Sequence, residues 1–263
     1  MEQILGLVVL LASAASSQTG MRIIGGSECE PHSQPWQAFL FDAHLTRCGG
    51  ALIDERWVIT AGHCLRGSLT VHLGEHDLHK QNVGEQHCKI VKAIRHPEFE
   101  PVTLKNDIML LRLDPPAILG GTVRAVPMAK ECAPIGTQCV VSGWGTTTFP
   151  QVNYAYSLQC MHAKIMAKDV CRSTYGTYFS DHQICAGAME GGIDSCQSLL
   201  ALDSDHFALV NLQGDSGSPM VCNGVLHGVV SWGSQQCAAK EHPGIYTEIC
   251  KFREWIEQTM AEN

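Results

Sequence analysis

The chain has 263 residues, 45% of them apolar and 17% charged, a balance that supports a folded core and excludes a largely disordered chain. A formal net charge of −8 leaves no basic field to attract nucleic acid. Thirteen cysteines, scattered without a Cys-x-x-Cys pair, exclude a compact zinc framework and point to an oxidising compartment; the odd count leaves at least one over.

In chain order, residues 4–11 form an apolar run followed by small residues over 12–17, which predicts a signal peptide at 1–16. Eight apolar residues are too few to cross a bilayer, so no membrane anchor is expected. Short apolar or alternating runs at 37–41, 51–60, 69–73, 108–113, 138–142, 219–222 and 226–231 are punctuated by Gly, Pro, Asn and Asp. Many short strands with frequent turns predict an all-β sandwich or barrel. A short helix is predicted over 167–173. At the C-terminus Phe252, Trp255, Ile256, Thr259 and Met260 fall at helical spacing and form one apolar stripe, which predicts a helix packed on the last strands.

Three motifs carry chemistry. In Gly214-Asp215-Ser216-Gly217 a serine lies between glycines, which can form a tight turn with its hydroxyl exposed and let the backbone approach a substrate closely. Alone, the motif also fits an ordinary turn. A nucleophilic serine needs a base within hydrogen-bond reach and a carboxylate to orient that base. Among thirteen histidines, His63 stands out: it follows the strand-like Trp57-Val58-Ile59-Thr60 and the turn Ala61-Gly62, and Cys64 offers a covalent anchor. Asp107 lies between Asn106 and Ile108-Met109-Leu110-Leu111, where an aspartate is ordinarily a cap or turn residue.

Taken in order, T-A-G-H-C, N-D-I-M-L and G-D-S-G closely resemble the motifs of chymotrypsin-family serine proteases, nearest the trypsin and tissue-kallikrein branch. The resemblance runs from Ile23 to the C-terminus. It implies a protease domain at 23–263: two antiparallel six-stranded β-barrels, about 23–135 and about 136–250, and a C-terminal helix. The first barrel would supply His63 and Asp107, the second Ser216 and the specificity pocket. By the same resemblance Ser216 is the nucleophile, His63 the base and acid, Asp107 the orienting carboxylate, and the N–H groups of Gly214 and Ser216 the oxyanion hole. A histidine base implies activity that rises with pH, the reference pKa of a free histidine being about 6.5.

Arg22 before Ile23-Ile24-Gly25-Gly26 resembles the family's activation site, which makes 17–22 a propeptide and pairs the freed Ile23 amine with Asp215. Asp194 falls at the carboxylate position at the base of the primary pocket and implies cleavage after Arg or Lys. Ser231, Trp232 and Gly233 resemble the segment lining the cleft; Gly233 and Gly244 take the positions that keep the pocket open. The implied disulfides are Cys29–Cys160, Cys48–Cys64, Cys132–Cys250, Cys139–Cys222, Cys171–Cys185 and Cys196–Cys237, leaving Cys88, expected buried and inert. No cofactor or metal is expected. Glu75, Asp77 and Glu85 resemble part of the family's calcium loop, but Asn82 stands where a further glutamate is common, so a solvated acidic turn is expected. The resemblance further implies a secreted, extracellular monomer with protein or peptide substrates, a trypsin-like activating protease and protein protease inhibitors, and no nucleic-acid or membrane partner.

One departure is large. In the family D-S-C-Q runs directly into G-D-S-G, whereas here the sixteen residues 198–213 intervene, five of them leucine. Closing such a loop costs only about 2.5 kcal/mol, so the frame can survive it. Its apolar side chains would however seek burial, with the substrate groove at hand, and a shift of about 1 Å at the oxyanion donors costs about 100-fold in rate. The expectation is that this form is impaired or self-blocked; the insert's position at a motif seam suggests a splice variant or a gene-model error, and the alternative to an active endopeptidase is an impaired splice form or a pseudoprotease acting as a binding protein. Ser218, where a glycine is usual before the proline, and Gly62, where an alanine is usual, are small enough to fit.

Overall fold

The computed structural model describes residues 26–41, 47–65, 67–145, 154–187, 199–200, 210–211, 214–233 and 240–263. The strands of the first half are β1 (Ser27–Glu28), β2 (Gln37–Phe41), β3 (Arg47–Asp54), β4 (Trp57–Thr60), β5 (Thr70–Leu73), β6 (Gln86–Cys88), β7 (Ile90–Arg95) and β8 (Met109–Leu113). Those of the second half are β9 (Gln138–Gly143), β10 (Gln159–Ile165), β11 (Gln183–Gly187), β12 (Leu199–Leu200), β13 (Val210–Asn211), β14 (Pro219–Cys222), β15 (Val225–Trp232) and β16 (Gly244–Glu248). Helices α1 (Lys168–Tyr175) and α2 (Arg253–Glu262) complete the elements used below.

One antiparallel sheet runs β6-β5-β2-β3-β4-β8-β7. Its two edges are separated by Lys89 alone, so one bent strand supplies both and the sheet curls round on itself. The other sheet closes completely: β10-β11-β16-β15-β14-β9 returns by pairing β9 to β10, and β1 adds to the outside of β10. The all-β, two-barrel expectation therefore holds, with α2 at the end.

Side-chain period sets which faces turn inward. In β10, Gln-Cys-Met-His-Ala-Lys-Ile, the residues Met161, Ala163 and Ile165 are buried while His162 and Lys164 are exposed, the alternation a half-buried strand requires. β4 is buried at every position and reads as a continuous apolar run. Leu40, Leu52, Ile59, Leu73 and Leu110 fill the first barrel without exposure; Val141, Met161, Met220 and Tyr246 fill the second. Each such side chain stabilises the fold by about 1.5–3 kcal/mol relative to its exposed state. Ile256 of α2, with Phe252 just before it, packs in the same cluster as Leu226 and Val229 of β15, so the helix lies on late strands as expected.

The run at 51–60 is not one strand. It divides into the end of β3 and all of β4, which pair antiparallel with Ala51 opposite Ile59. The polar triplet Asp54-Glu55-Arg56 makes the turn, and the Arg56 N–H donates to Asp54 Oδ1 at 3.0 Å. Five of the six expected disulfides are formed: Cys29–Cys160, Cys48–Cys64, Cys132–Cys250, Cys139–Cys222 and Cys171–Cys185. Cys196–Cys237 lies outside the described residues. Cys88 is buried and unpaired, and its burial pushes the thiol pKa up. Among the described residues no helix is long and apolar enough to cross a membrane.

Within the inserted segment β12 and β13 pair antiparallel, Leu199 opposite Asn211 and Leu200 opposite Val210. Positions near the beginning and the end of the insert are thus paired with each other.

Candidate active site

His63 sits in a single 3₁₀ turn, Gly62–Cys64, immediately after β4. The turn is held from several directions. Cys64 is bonded to Cys48 on β3, and the Arg95 guanidinium donates to the Gly62 carbonyl at 2.7 Å. Asp107 precedes β8 and follows Asn106, whose φ of 53° turns the chain sharply at the strand mouth. Asparagine tolerates that left-handed conformation better than most residues. Its side chain is fixed by donating to the Glu98 carbonyl at 2.9 Å.

The two elements meet through the Asp107 carboxylate, which has no solvent exposure. Its Oδ1 accepts the backbone N–H of His63 at 2.9 Å, and its Oδ2 lies 2.7 Å from His63 Nδ1. The Ser231 hydroxyl donates to the same Oδ2 at 2.7 Å, and the Thr247 hydroxyl donates to the Asp107 carbonyl at 2.8 Å. A carboxylate so engaged is an acceptor only, so the imidazole proton must sit on Nδ1 and the lone pair on Nε2. Nε2 is buried and has no hydrogen-bond partner among the described residues.

Ser216 is buried in the turn between β13 and β14. Its carbonyl accepts the Gly49 N–H at 2.7 Å and lies 3.7 Å from Cys64 Sγ, which seats the serine beside the residue that follows His63. Gly214 has φ of 150°, and a Cβ there would come within 2.4 Å of the Gly145 Cα, so only glycine fits. Asp215 turns inward: its Oδ1 accepts the Gly145 N–H at 2.9 Å, and a Cβ on Gly145 would lie 2.1 Å from its carboxylate. His63, Asp107, Ser231 and the 214–217 turn thus converge between the two barrels, the first pair from one and the rest from the other.

Comparison with known proteins identifies the family. The family profile described as Trypsin matches residues 23–198 and 209–256, most of the chain. The chain belongs to the trypsin family of serine proteases. The trypsin match breaks off at 198 and resumes at 209, inside the segment read as an insert. Rat kallikrein-8 is 40% identical over 97% of this chain and 94% of its own length. Human kallikrein-14 is 42% identical over 97% and 90%, and dog anionic trypsin 41% identical over 98% of each. The solved structure of neuropsin, titled a serine protease expressed in the limbic system of mouse brain, superimposes with a TM-score of 0.79 at 41% identity; the match covers 89% of this chain and 98% of that one.

Of the remaining expected site residues, Arg22, Ile23 and Asp194 lie outside the described residues. Trp232 ends β15 and packs edge-on to Tyr175 at 4.9 Å, and Gly244 opens β16 opposite Ala186. Gly233 is buried directly after Trp232. Two contacts were not legible beforehand. Ser231, read as a cleft-lining residue, also holds the Asp107 carboxylate, and Thr247 holds its main chain. Both come from strands remote in sequence, and a lone hydroxyl in an apolar strand carries no signal of its partner.

The calcium-like loop does not suit a calcium ion. The Asn82 side-chain NH₂ occupies its centre, within 2.6 Å of Glu75 Oε2 and 3.0 Å of the Asp77 and Lys80 carbonyls. Its carbonyl oxygen accepts the N–H groups of His76 and Asp77 at 3.1 and 3.0 Å. Lys80 pairs with the Asp77 carboxylate at 2.5 Å and holds its pKa below the usual value of 3.8. Oxygens that a calcium ion would need are already hydrogen-bonded.

Proposed function

We propose that the chain is a secreted trypsin-like endopeptidase, made as a zymogen with a signal peptide at 1–16 and a propeptide at 17–22, that cleaves after Arg or Lys. The single observation that carries the catalytic reading is the Asp107 carboxylate, buried and shared by His63 Nδ1, His63 N–H and Ser231, which fixes one imidazole tautomer. With its lone pair on Nε2, His63 takes the Ser216 proton as Oγ attacks the scissile carbonyl. The tetrahedral oxyanion is received by the N–H groups of Gly214 and Ser216, each donor being worth about 3–4 kcal/mol in such sites. Collapse expels the amine, which takes the proton from His63, and leaves an ester on Ser216. Water then attacks that ester with His63 again as base, releasing the acid and restoring the serine.

Activation by a trypsin-like protease at Arg22 frees the Ile23 amine, whose cation pairs with Asp215 at the inward-facing position described above. Asp194 supplies the pocket charge that favours a basic side chain. Proteins or peptides are the substrates, and protein inhibitors that present a basic residue to the pocket block it.

The test is controlled cleavage after Arg22, followed by labelling with a serine-directed phosphonate. Stoichiometric labelling that needs the cleavage and is absent in Ser216→Ala supports the reading; cleavage without labelling points instead to a binding protein on this scaffold. Peptides with Arg or Lys before the scissile bond should be hydrolysed and Phe peptides spared, and Asp194→Ser should abolish that preference. Deletion of 198–213 measures the insert: a rise of about 10-fold or more in rate, from relieving a displacement of the oxyanion donors, marks the full-length form as impaired, and equal rates mark the loop as tolerated.

A further inference from the structure

Outside the site just described, β5 and β6 bring three potential ligands to one spot. His72 and His87 are directly opposed across this strand pair, with ring centroids 4.1 Å apart. Glu75 follows the end of β5. One ring nitrogen from each histidine and a Glu75 carboxylate oxygen all lie within 4.8 Å of one another. They line an open cavity of about 310 Å³ whose wall includes Phe39, Leu78 and Tyr156.

The hydrogen bonds around the cluster indicate which ring nitrogens carry its lone pairs. The Thr70 hydroxyl donates its one proton to the Phe41 carbonyl at 3.1 Å. Its 3.3 Å contact with His72 Nε2 must therefore be accepted from an Nε2–H, which leaves the His72 lone pair on Nδ1. That nitrogen faces Glu75 Oε1 at 3.6 Å, too far for a hydrogen bond. Two electron-rich atoms are thus aimed at each other. Glu75 cannot turn away, because its Oε2 receives the Asn82 amide at 2.6 Å. On the other strand, His87 Nε2 lies 2.5 Å from Glu85 Oε1. The other Glu85 oxygen, Oε2, accepts the Asn82 backbone N–H at 3.1 Å, so the carboxyl group is an acceptor at both atoms. The His87 proton then sits on Nε2 and its lone pair on Nδ1.

We propose that His72, Glu75 and His87 form a binding site for a borderline divalent transition ion, zinc being the natural probe. Two imidazoles and one carboxylate with a fourth position for water are a common zinc donor set, and the paired outer partners, Thr70 on His72 and Glu85 on His87, are the arrangement that orients metal-bound histidines. Tetrahedral ligands at about 2.0–2.2 Å from zinc lie about 3.4 Å apart, so the cluster must tighten. The His87 side chain, 61% exposed, is free to make that movement. The site differs from the loop that Asn82 fills: it uses nitrogen donors and the one Glu75 oxygen that Asn82 leaves unengaged. It shares no residue with His63, Asp107 or Ser216, and its test needs no proteolytic activity, so its failure and that of the protease reading are separable.

The experiment is calorimetric titration of the full chain with zinc chloride in chelator-stripped buffer, repeated as a competition against a chromophoric chelator. One saturable site per chain is expected. His87→Gln, His72→Gln and Glu75→Gln should each weaken it about 10-fold or more, and Glu85→Gln by about 10-fold through loss of the outer partner. His63→Ala and the exposed His162→Gln should leave it unchanged. His87→Gln changes an exposed position, and a melting temperature equal to that of the parent in chelator certifies its fold. Absence of saturable binding, undiminished binding in both His72→Gln and His87→Gln, loss confined to His63→Ala, or displacement of zinc by excess calcium would each overturn the proposal.

Discussion

At the residue scale the site depends on one buried carboxylate and on where it forces a proton. Asp107 accepts the His63 backbone N–H at Oδ1 and both His63 Nδ1–H and the Ser231 hydroxyl at Oδ2. Asp107→Asn keeps the shape but offers an N–H₂ or a single carbonyl, so the imidazole takes the wrong tautomer. The rate constant on an arginyl peptide, measured after Arg22 cleavage, should drop by about 10⁴-fold with little change in melting temperature. Ser218 gives a second prediction. Its hydroxyl is buried without a hydrogen-bond partner among the described residues, close against the bare faces of Gly49 and Gly143. Ser218→Ala removes an unsatisfied group and leaves no strained backbone. It should stabilise the chain by about 1 kcal/mol, a rise of about 2–4 °C in thermal unfolding. An unchanged or lower melting temperature would mean the hydroxyl has a partner in solution. The sequence motifs singled out His63, Asp107 and Ser216 as candidates because three short patterns rarely fall in one fixed order by chance. They could not locate Ser231 or Thr247 on Asp107, because those contacts cross 124 and 140 residues.

At the element scale, strands with alternating or wholly apolar runs were legible in advance: β2 and β14 match their predicted bounds, and β8 and β9 differ by one residue. β7 was not singled out, because Ile-Val-Lys-Ala-Ile-Arg is half-exposed throughout and breaks the period that marks a buried face. The loop between β5 and β6 shows a different limit. Its composition suggests a cation site, but a single amide decides otherwise. Asn82→Asp exchanges that donor for a fourth carboxylate beside Glu75, Asp77 and Glu85. The variant should melt lower than the parent in chelator and recover in calcium chloride, because hard oxygen ligands would then lack only their cation. The parent should not respond to calcium. A parent that does respond would show the Asn82 hydrogen bonds yielding to the ion.

At the scale of the whole molecule, the two barrels are strapped together by α2, and the strap has an imidazole beneath it. The His96 ring lies edge-on to Phe252 at 5.2 Å and 4.9 Å from Trp255, and the His96 backbone N–H donates to the Ile108 carbonyl beside Asp107. Burial among these rings pushes the His96 pKa below its usual 6.5; nearby Glu98 opposes the shift and His182 adds to it. Burial lowers the pKa of His227 on β15 as well. For both, the unfolded chain binds a proton at a pH where the folded chain does not. Stability is therefore fully present above pH 6.5 and falls as the pH drops through 6.5 toward the lower folded values. The carboxylates act elsewhere: Asp77 and Glu85 have pKa values held below 3.8 and 4.5, so their contribution is lost only in stronger acid. Thermal unfolding of a Ser216→Ala chain, from which the proposed nucleophile is removed, should show a first decline between about pH 6.5 and 5 and a second below about pH 4.5. His96→Gln should flatten the first and leave the second. If the first decline persists undiminished in both His96→Gln and His227→Gln, the proton is entering elsewhere, and the packing of His96 under α2 does not set the acid limit of the fold.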